Sequence, residues 1–356
     1  MNTPISIGFV RRIGTLCLCL WLAGCATLSK DGGFSAVESI TKDRIGKDVK
    51  WARTDGDQET ITKRVAELLS KPLSVDDAIQ IALLNNRGLQ VDFAELGIAE
   101  ADMVSASRLP NPGFSFMRST RGHEIEIERG LHFNFARLLA LPLTVKMESQ
   151  RFELAKGSAA TAAVRLSGET RKAYFQALAA EETVRYMRKV RDVAESSAEL
   201  ARRMAAVGNW SRLQQAREQG FYADAALNVA RAEQARVQSR EALMRLLGLW
   251  GAQTGYVLPE RLPDLPKSQE DQPDIEQRAM RTRLDVAGAR MSAEAVAANL
   301  GLSKATRFIN VLEIGAFREV SNEAPVRRGY EISLELPLFD WGTSRVAKAE
   351  AMYMQA

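Results

Sequence analysis

The chain of 356 residues is 46% apolar and 26% charged, with 24 Gly and 11 Pro, a balance that excludes disordered, collagen-like and low-complexity classes. It contains no run of roughly 18 or more apolar residues, which excludes a multi-helix transporter but leaves open a transmembrane β-barrel, whose strands are short and alternating. Lys plus Arg is 48 and Asp plus Glu is 44, a net charge of +4, and the charges are interspersed, so no basic patch of the nucleic-acid kind stands out.

Arg11 and Arg12 precede an apolar stretch from Ile13 to Leu22 that is too short for a stable anchor and ends in small residues. This is the pattern of a cleaved signal peptide over residues 1–24. The junction Leu22-Ala23-Gly24-Cys25 resembles a bacterial lipobox. The resemblance implies lipidation at Cys25, with acyl chains such as palmitate as the one attached group and no other cofactor. Cys17 and Cys19 leave with the signal, so the mature chain holds no free thiol and no disulfide. Ala26 rather than Asp after the cysteine implies, by the same resemblance, the outer membrane.

Residues 25–72 are mixed and polar and read as a tether along the body, with a short helix near Thr60 to Leu69. Ser74 is a good N-cap with Asp76 and Asp77 in the first turn, and the apolar spacing predicts one helix to about Leu109. Pro110-Asn111-Pro112 stops it. Phe114, Phe116, Leu131, Phe133 and Phe135 then alternate with polar residues, which predicts a strand pair over 113–140.

Helical periodicity returns after Leu141-Pro142-Leu143, and Glu169 to Val207 holds neither Gly nor Pro. The sequence predicts a hairpin over 145–247, its first helix running to Val207 and reaching on the order of 90 Å at 1.5 Å per residue. A sparse stripe of Val164, Tyr174, Leu178, Val184, Met187, Val190, Leu200 and Met204, with alanines between, predicts coiled-coil packing. Gly208-Asn209 breaks the helix, Ser211 caps the next, and Gly248 ends it.

Pro259, Pro263, Pro266 and Pro273 mark an extended linker over 258–273. Beyond it the first unit, 73–257, starts again as 274–356. Ala99-Glu100-Ala101 recurs as Ala293-Glu294-Ala295 and Phe114 as Phe308, while Leu89 and Leu141-Pro142-Leu143 recur as Leu284 and Leu336-Pro337-Leu338. A near-constant offset argues for internal duplication, with a second strand pair over 308–337. The second unit has few residues left after Pro337, which predicts that the sequence stops before a second hairpin.

Two helix-and-strand units, a helical hairpin and a lipid anchor form one constellation. An isolated strand pair cannot sit in lipid with its edge N–H and C=O groups unpaired, so the four strands need partners from other copies. Here the sequence resembles the TolC-like outer-membrane efflux factor family, in its lipoprotein branch. The matching parts are Ser74-Val75-Asp76-Asp77-Ala78 through Ala82 and Asn85-Asn86, Arg108-Leu109-Pro110-Asn111-Pro112, the Gly208-Asn209 turn, and Leu336-Pro337-Leu338-Phe339-Asp340-Trp341-Gly342.

The resemblance implies a fold that is mainly α with a small β part: a homotrimer whose protomers each give four strands to an outer-membrane barrel and their helices to a periplasmic tunnel. It implies a passive exit duct of a tripartite efflux or type I secretion system, docked on a periplasmic adaptor and an inner-membrane pump, for small molecules or ions. On this reading Val207, Gly208, Asn209, Trp210 and Leu213 belong to the docking tip, although Trp210 could equally staple the hairpin to itself. His132, Asn134, Glu331, Ser333 and Glu335 face the lumen by strand alternation, and solvation of a water-filled pore accounts for their polarity.

Catalytic signals are poor. Only His123 and His132 exist, too little for a Ser-His-Asp triad or a His-rich zinc site. Gly122-His123-Glu124 with Glu126, Glu128 and His132 reads as a strand facing water before it reads as a metal cluster. The methionines are scattered and no phosphate loop is present. The sequence therefore predicts no enzyme. The competing class is a non-transporting coiled-coil lipoprotein or a non-functional fragment of a duct, but a periplasmic adaptor would carry its β-domain between the hairpin helices, and here the strand pairs lie outside them.

Overall fold

The computed structural model describes residues 27–356 except 266, 269–272 and 309–310. The signal segment and Cys25 lie outside the described residues. In chain order the elements are α1 (Phe34–Ile45), α2 (Asp55–Leu69), α3 (Val75–Asn85), α4 (Arg87–Ala106), β1 (Gly113–Arg121), β2 (Glu124–Asn134), α5 (Phe135–Ala206), α6 (Arg212–Leu247), α7 (Ile275–Thr282), α8 (Leu284–Ala305), β3 (Leu312–Ser321), β4 (Arg327–Leu334) and α9 (Thr343–Gln355). The chain divides into two compact units: residues 34–95 with 156–284, and residues to Gly33 with 96–155 and 285–356.

The first unit is helical. The segment read as a tether is folded here into two packed helices. Thr54 accepts the Asp57 amide (3.2 Å) and Asp57 reaches back to the Thr54 amide (3.1 Å), a capping box that starts α2 five residues before the sequence placed it. Phe34 of α1 meets Phe93 edge to face at 4.9 Å between centroids. Phe93, Ile61, Leu73 and Ile79 are all buried in the core, and each such side chain contributes about 1.5–3 kcal/mol.

The single helix expected from Ser74 to Leu109 is two. Asn86 takes extended backbone (φ −69, ψ 121) and interrupts it. Its Oδ1 accepts the Leu89 amide (3.0 Å), opening α4, while its Nδ2 donates to the Leu246 carbonyl (2.9 Å). The break is thus made by a side chain that bonds backbone better than a helical turn would.

The hairpin forms with its turn where the sequence placed it. Gly208 has φ +82 and Ser211 caps α6 through a capping box with Gln214. The buried seam differs from the expected stripe: Leu200 is 55% exposed, and Ala194, Ala198 and Ala201 are buried instead, as are Ala225, Val229 and Ala232 of α6. Spacings of four and three on both helices place small side chains at the seam, which lets backbones approach closely. Ser197 donates to Glu218 (2.7 Å), and Glu181 faces Arg240 (3.2 Å) and Arg236 (3.8 Å), fixing the register.

In the second unit one antiparallel sheet has the order β1-β2-β3-β4. The first strand pair ends at Asn134, not at 140, and α5 begins ten residues before the expected Val145, running through Pro142. Asn134 Oδ1 accepts the Arg137 amide (2.8 Å), so it opens the helix in the manner of an N-cap. Pro142 is the eighth residue of α5, inside the helix, where it removes the N–H that would bond the Leu138 carbonyl. In the second pair Phe308 precedes β3, and the strands cover 312–321 and 327–334 rather than all of 308–337. The two helix-hairpin units recur, but β1 and β3 begin at Gly113 and Leu312, so the offset read from matching residues is not the offset of the strands. Ser29 is held in this unit by the buried Glu100 carboxylate, which accepts both its amide (2.7 Å) and its hydroxyl.

Candidate functional site: a two-faced sheet and a hairpin tip

Register assigns every strand residue to one of two faces. Phe114 pairs with Leu131, Leu131 with Ala316, and Ala316 with Tyr330, while Phe133 pairs with Ile314 and Ile314 with Ile332. Phe114, Phe116, Leu131, Phe133, Ile332 and Leu334 are all exposed on this face, and Tyr330 is 79% exposed. The opposite face carries Glu124, Glu126, Glu128, Glu313, Glu319 and Glu331, so all six carboxylates of the strands share one side. Segregation of the carboxylates to one side and of most large apolar residues to the other suits a sheet between two different media.

Of the residues assigned to the lumen, His132, Asn134, Glu331 and Ser333 lie on the carboxylate face. Glu335 falls just past β4, its amide donating to Val311 (3.2 Å). His132 lies over Gly113 on β1: a Cβ built on Gly113 would fall 2.0 Å from Nε2. Glycine at that position therefore makes room for the imidazole, and it is not there for its backbone freedom. Among the described residues no group of three or more His, Cys, Asp or Glu could hold a metal ion, and the two histidines are separate.

At the tip, Val207 and Leu213 are exposed with Gly208 and Asn209, and Trp210 is half-buried. The Asn209 and Trp210 amides both donate to the Met204 carbonyl (2.9 and 3.3 Å), closing the turn on the helix end. Below it, hydrogen bonds from Arg202 and then Arg203 hold the Glu199 carboxyl down to about 2.

One feature escaped the sequence reading. Tyr186, Val193 and Leu200 of α5 are exposed, as is Val207 just past its end. They recur every seven residues, the spacing of a coiled-coil seam, and lie outside the buried alanine seam. The seven-residue interval was visible in the sequence. The alanines between them gave no sign that they, rather than these larger residues, line the inner seam.

Among the described residues no helix is long and apolar enough to cross a membrane. The fold is that of the outer-membrane channels typified by the TolC-like family. A membrane protein from Pseudomonas aeruginosa matches with a TM-score of 0.65 and 19% identity over 79% of this chain and 70% of its own. The CmeC outer-membrane channel of Campylobacter jejuni matches at 0.65 and 14% identity over 89% and 71%. The cobalt-zinc-cadmium resistance protein CzcC of Cupriavidus metallidurans is 23% identical over 278 residues, 76% of this chain. The chain spans 64% of that protein's length. No family model matches the chain.

Proposed function

We propose that the chain is an outer-membrane efflux factor of the TolC-like family, a passive exit duct for small molecules or ions. The observation that carries this reading is the sheet with an exposed apolar face, a carboxylate face and two open edges, β1 and β4. In lipid those edges must be paired, which closure into a barrel achieves. Two copies would give eight strands, whose interior side chains fill; three give twelve, within the roughly 8 to 26 of known barrels and wide enough for a passage. This reading takes three copies, a homotrimer. The uncovered heptad line of α5 is the surface along which neighbouring hairpins pack into a helical tunnel.

On this reading Cys25 carries the lipid, the His132, Asn134, Glu331, Ser333 and Glu335 side faces the passage, and Val207, Gly208, Asn209, Trp210 and Leu213 meet a periplasmic adaptor that links to an inner-membrane pump. The solved neighbour CmeC is an outer-membrane channel, and the sequence relative CzcC is named for cobalt-zinc-cadmium resistance. Small cations are therefore the first cargo to try. Export is tested by expressing the chain with a cognate pump and adaptor in a host lacking its own duct. Restored export with a trimeric mass in detergent supports the duct. A monomer that stays out of the membrane fraction overturns it and favours a coiled-coil lipoprotein.

A further inference from the structure

The apolar face of the sheet is interrupted by a tier of cations. Arg129 on β2 lies directly opposite Arg318 on β3, and Arg318 directly opposite Arg328 on β4. Arg118 follows on β1, one step beyond Phe116, the partner of Arg129. All four are exposed. Like charges directly across a ladder repel, so a nearby anion would relieve the arrangement. The strands do not supply one, because their six carboxylates lie on the other face, where Arg327 is paired with Glu319 at 2.7 Å.

The position of the tier defines the counter-charge. From Leu334 to Arg328 is about 20 Å along the strand at roughly 3.4 Å per residue, and the tiers between, Ile332 with Ile314 and Tyr330 with Ala316, are apolar or aromatic. The cations thus bound the exposed apolar band that runs from Leu334 to Tyr330, and beyond them the same face continues with the half-buried Ile127, Ile125 and Val320; the tier stands at the depth where headgroup phosphates lie if the exposed band faces acyl chains. A guanidinium binds phosphate through two parallel N–H···O bonds, and several in a row can share adjacent phosphates.

We propose that Arg118, Arg129, Arg318 and Arg328 form a phosphate-binding tier that holds anionic lipid headgroups against the outside of the barrel. The proposal rests on the membrane-spanning reading of the sheet. The tier would both neutralise the repulsion along the ladder and fix the depth of the strands.

The test uses the full chain. Insertion is first measured in phosphatidylcholine vesicles and in vesicles containing phosphatidylglycerol, then lipid binding in detergent is titrated by native mass spectrometry. Phosphatidylglycerol is expected to bind at least about tenfold tighter than phosphatidylcholine, less so at high salt. Replacing the four arginines by glutamine should remove the preference and leave phosphatidylcholine binding unchanged. Four lysines should keep most of it, and Arg121→Gln on the carboxylate face should change nothing. Insertion with equal binding of both lipids, or a preference that survives the glutamine variant, overturns the tier alone. Displacement of phosphatidylglycerol by millimolar inorganic phosphate or by an acidic peptide also overturns it, as a site for soluble anions. Failure to insert into either vesicle overturns the membrane reading itself.

Discussion

Gly248, in left-handed backbone at φ +66, comes so close to Asn85 that a Cβ on it would lie 2.4 Å from the Asn85 carbonyl oxygen. The Asn85 amide group answers by donating to the Leu247 (3.1 Å) and Gly248 (2.8 Å) carbonyls, so the end of α6 is fastened to the end of α3. Gly248→Ala brings both a backbone and a steric penalty, together about 1–3 kcal/mol or more. Thermal unfolding followed by circular dichroism should show a clear loss, while Gly220→Ala, an open position in mid-helix, should be neutral or stabilising.

Tyr174 donates to the Leu73 carbonyl at 2.8 Å inside the helical unit. Tyr174→Phe leaves that buried carbonyl without its partner and should cost about 1–3 kcal/mol. Burial, and then the nearby Asp77 charge, push the Tyr174 hydroxyl above the ordinary value of 10.0, and burial does the same for Tyr256. A raised folded-state pKa means the unfolded chain releases its proton first, so this stability is complete below about pH 10 and is lost as pH rises above it. Denaturant titrations from pH 8 upward should show the alkaline decline, and Tyr174→Phe should flatten it.

Leu200→Lys puts a charge on the exposed heptad line without touching the buried alanine seam. The expected result is an unchanged helical spectrum with loss of the proposed trimer on light scattering in detergent. Ala198→Leu, at the seam itself, should instead lower the melting temperature by overpacking. A trimer that survives Leu200→Lys would place the neighbour elsewhere.

Trp210→Ala separates the two roles open to that ring. If it meets an adaptor, cross-linking to the adaptor falls while stability barely changes. A staple on its own helices predicts the reverse, with a loss of up to about 1.5–3 kcal/mol for a buried aromatic.

Cys25 should be the acylated N-terminus of the mature protein. Mass spectrometry of the chain from a bacterial envelope reads this directly, and Cys25→Ala should leave unprocessed precursor. An unmodified terminus at another residue would sink the assignment.

The elements most legible in the sequence were those set by local chemistry: Ser74 and Ser211 as caps, Gly208 as the turn, and the alternation that sorted His132 from Phe133. What was hidden depended on distant partners. Asn86 breaks a helix because Leu246, far along the chain, offers it a carbonyl, and no local pattern announces that. Pro142 looked like a boundary because proline ends helices more often than it sits inside them. The seam was misassigned at Leu200 because hydrophobicity marks the larger residue, whereas close packing selects Ala194, Ala198 and Ala201. Residues 25–72 read as a tether because α1 carries no periodic pattern of its own, and the contact that holds it, Phe34 against Phe93, comes from far along the chain.

The grip of Glu100 on Ser29 is also a ruler. Ser29 is four residues beyond Cys25, and an extended chain reaches at most about 3.6 Å per residue. If acyl chains on Cys25 enter a leaflet, the surface of that leaflet cannot lie more than about 14 Å from Ser29. The Glu100 turn of α4 is then moored beside the bilayer, and lengthening the leash with inserted Gly-Ser pairs should release it in measurable steps.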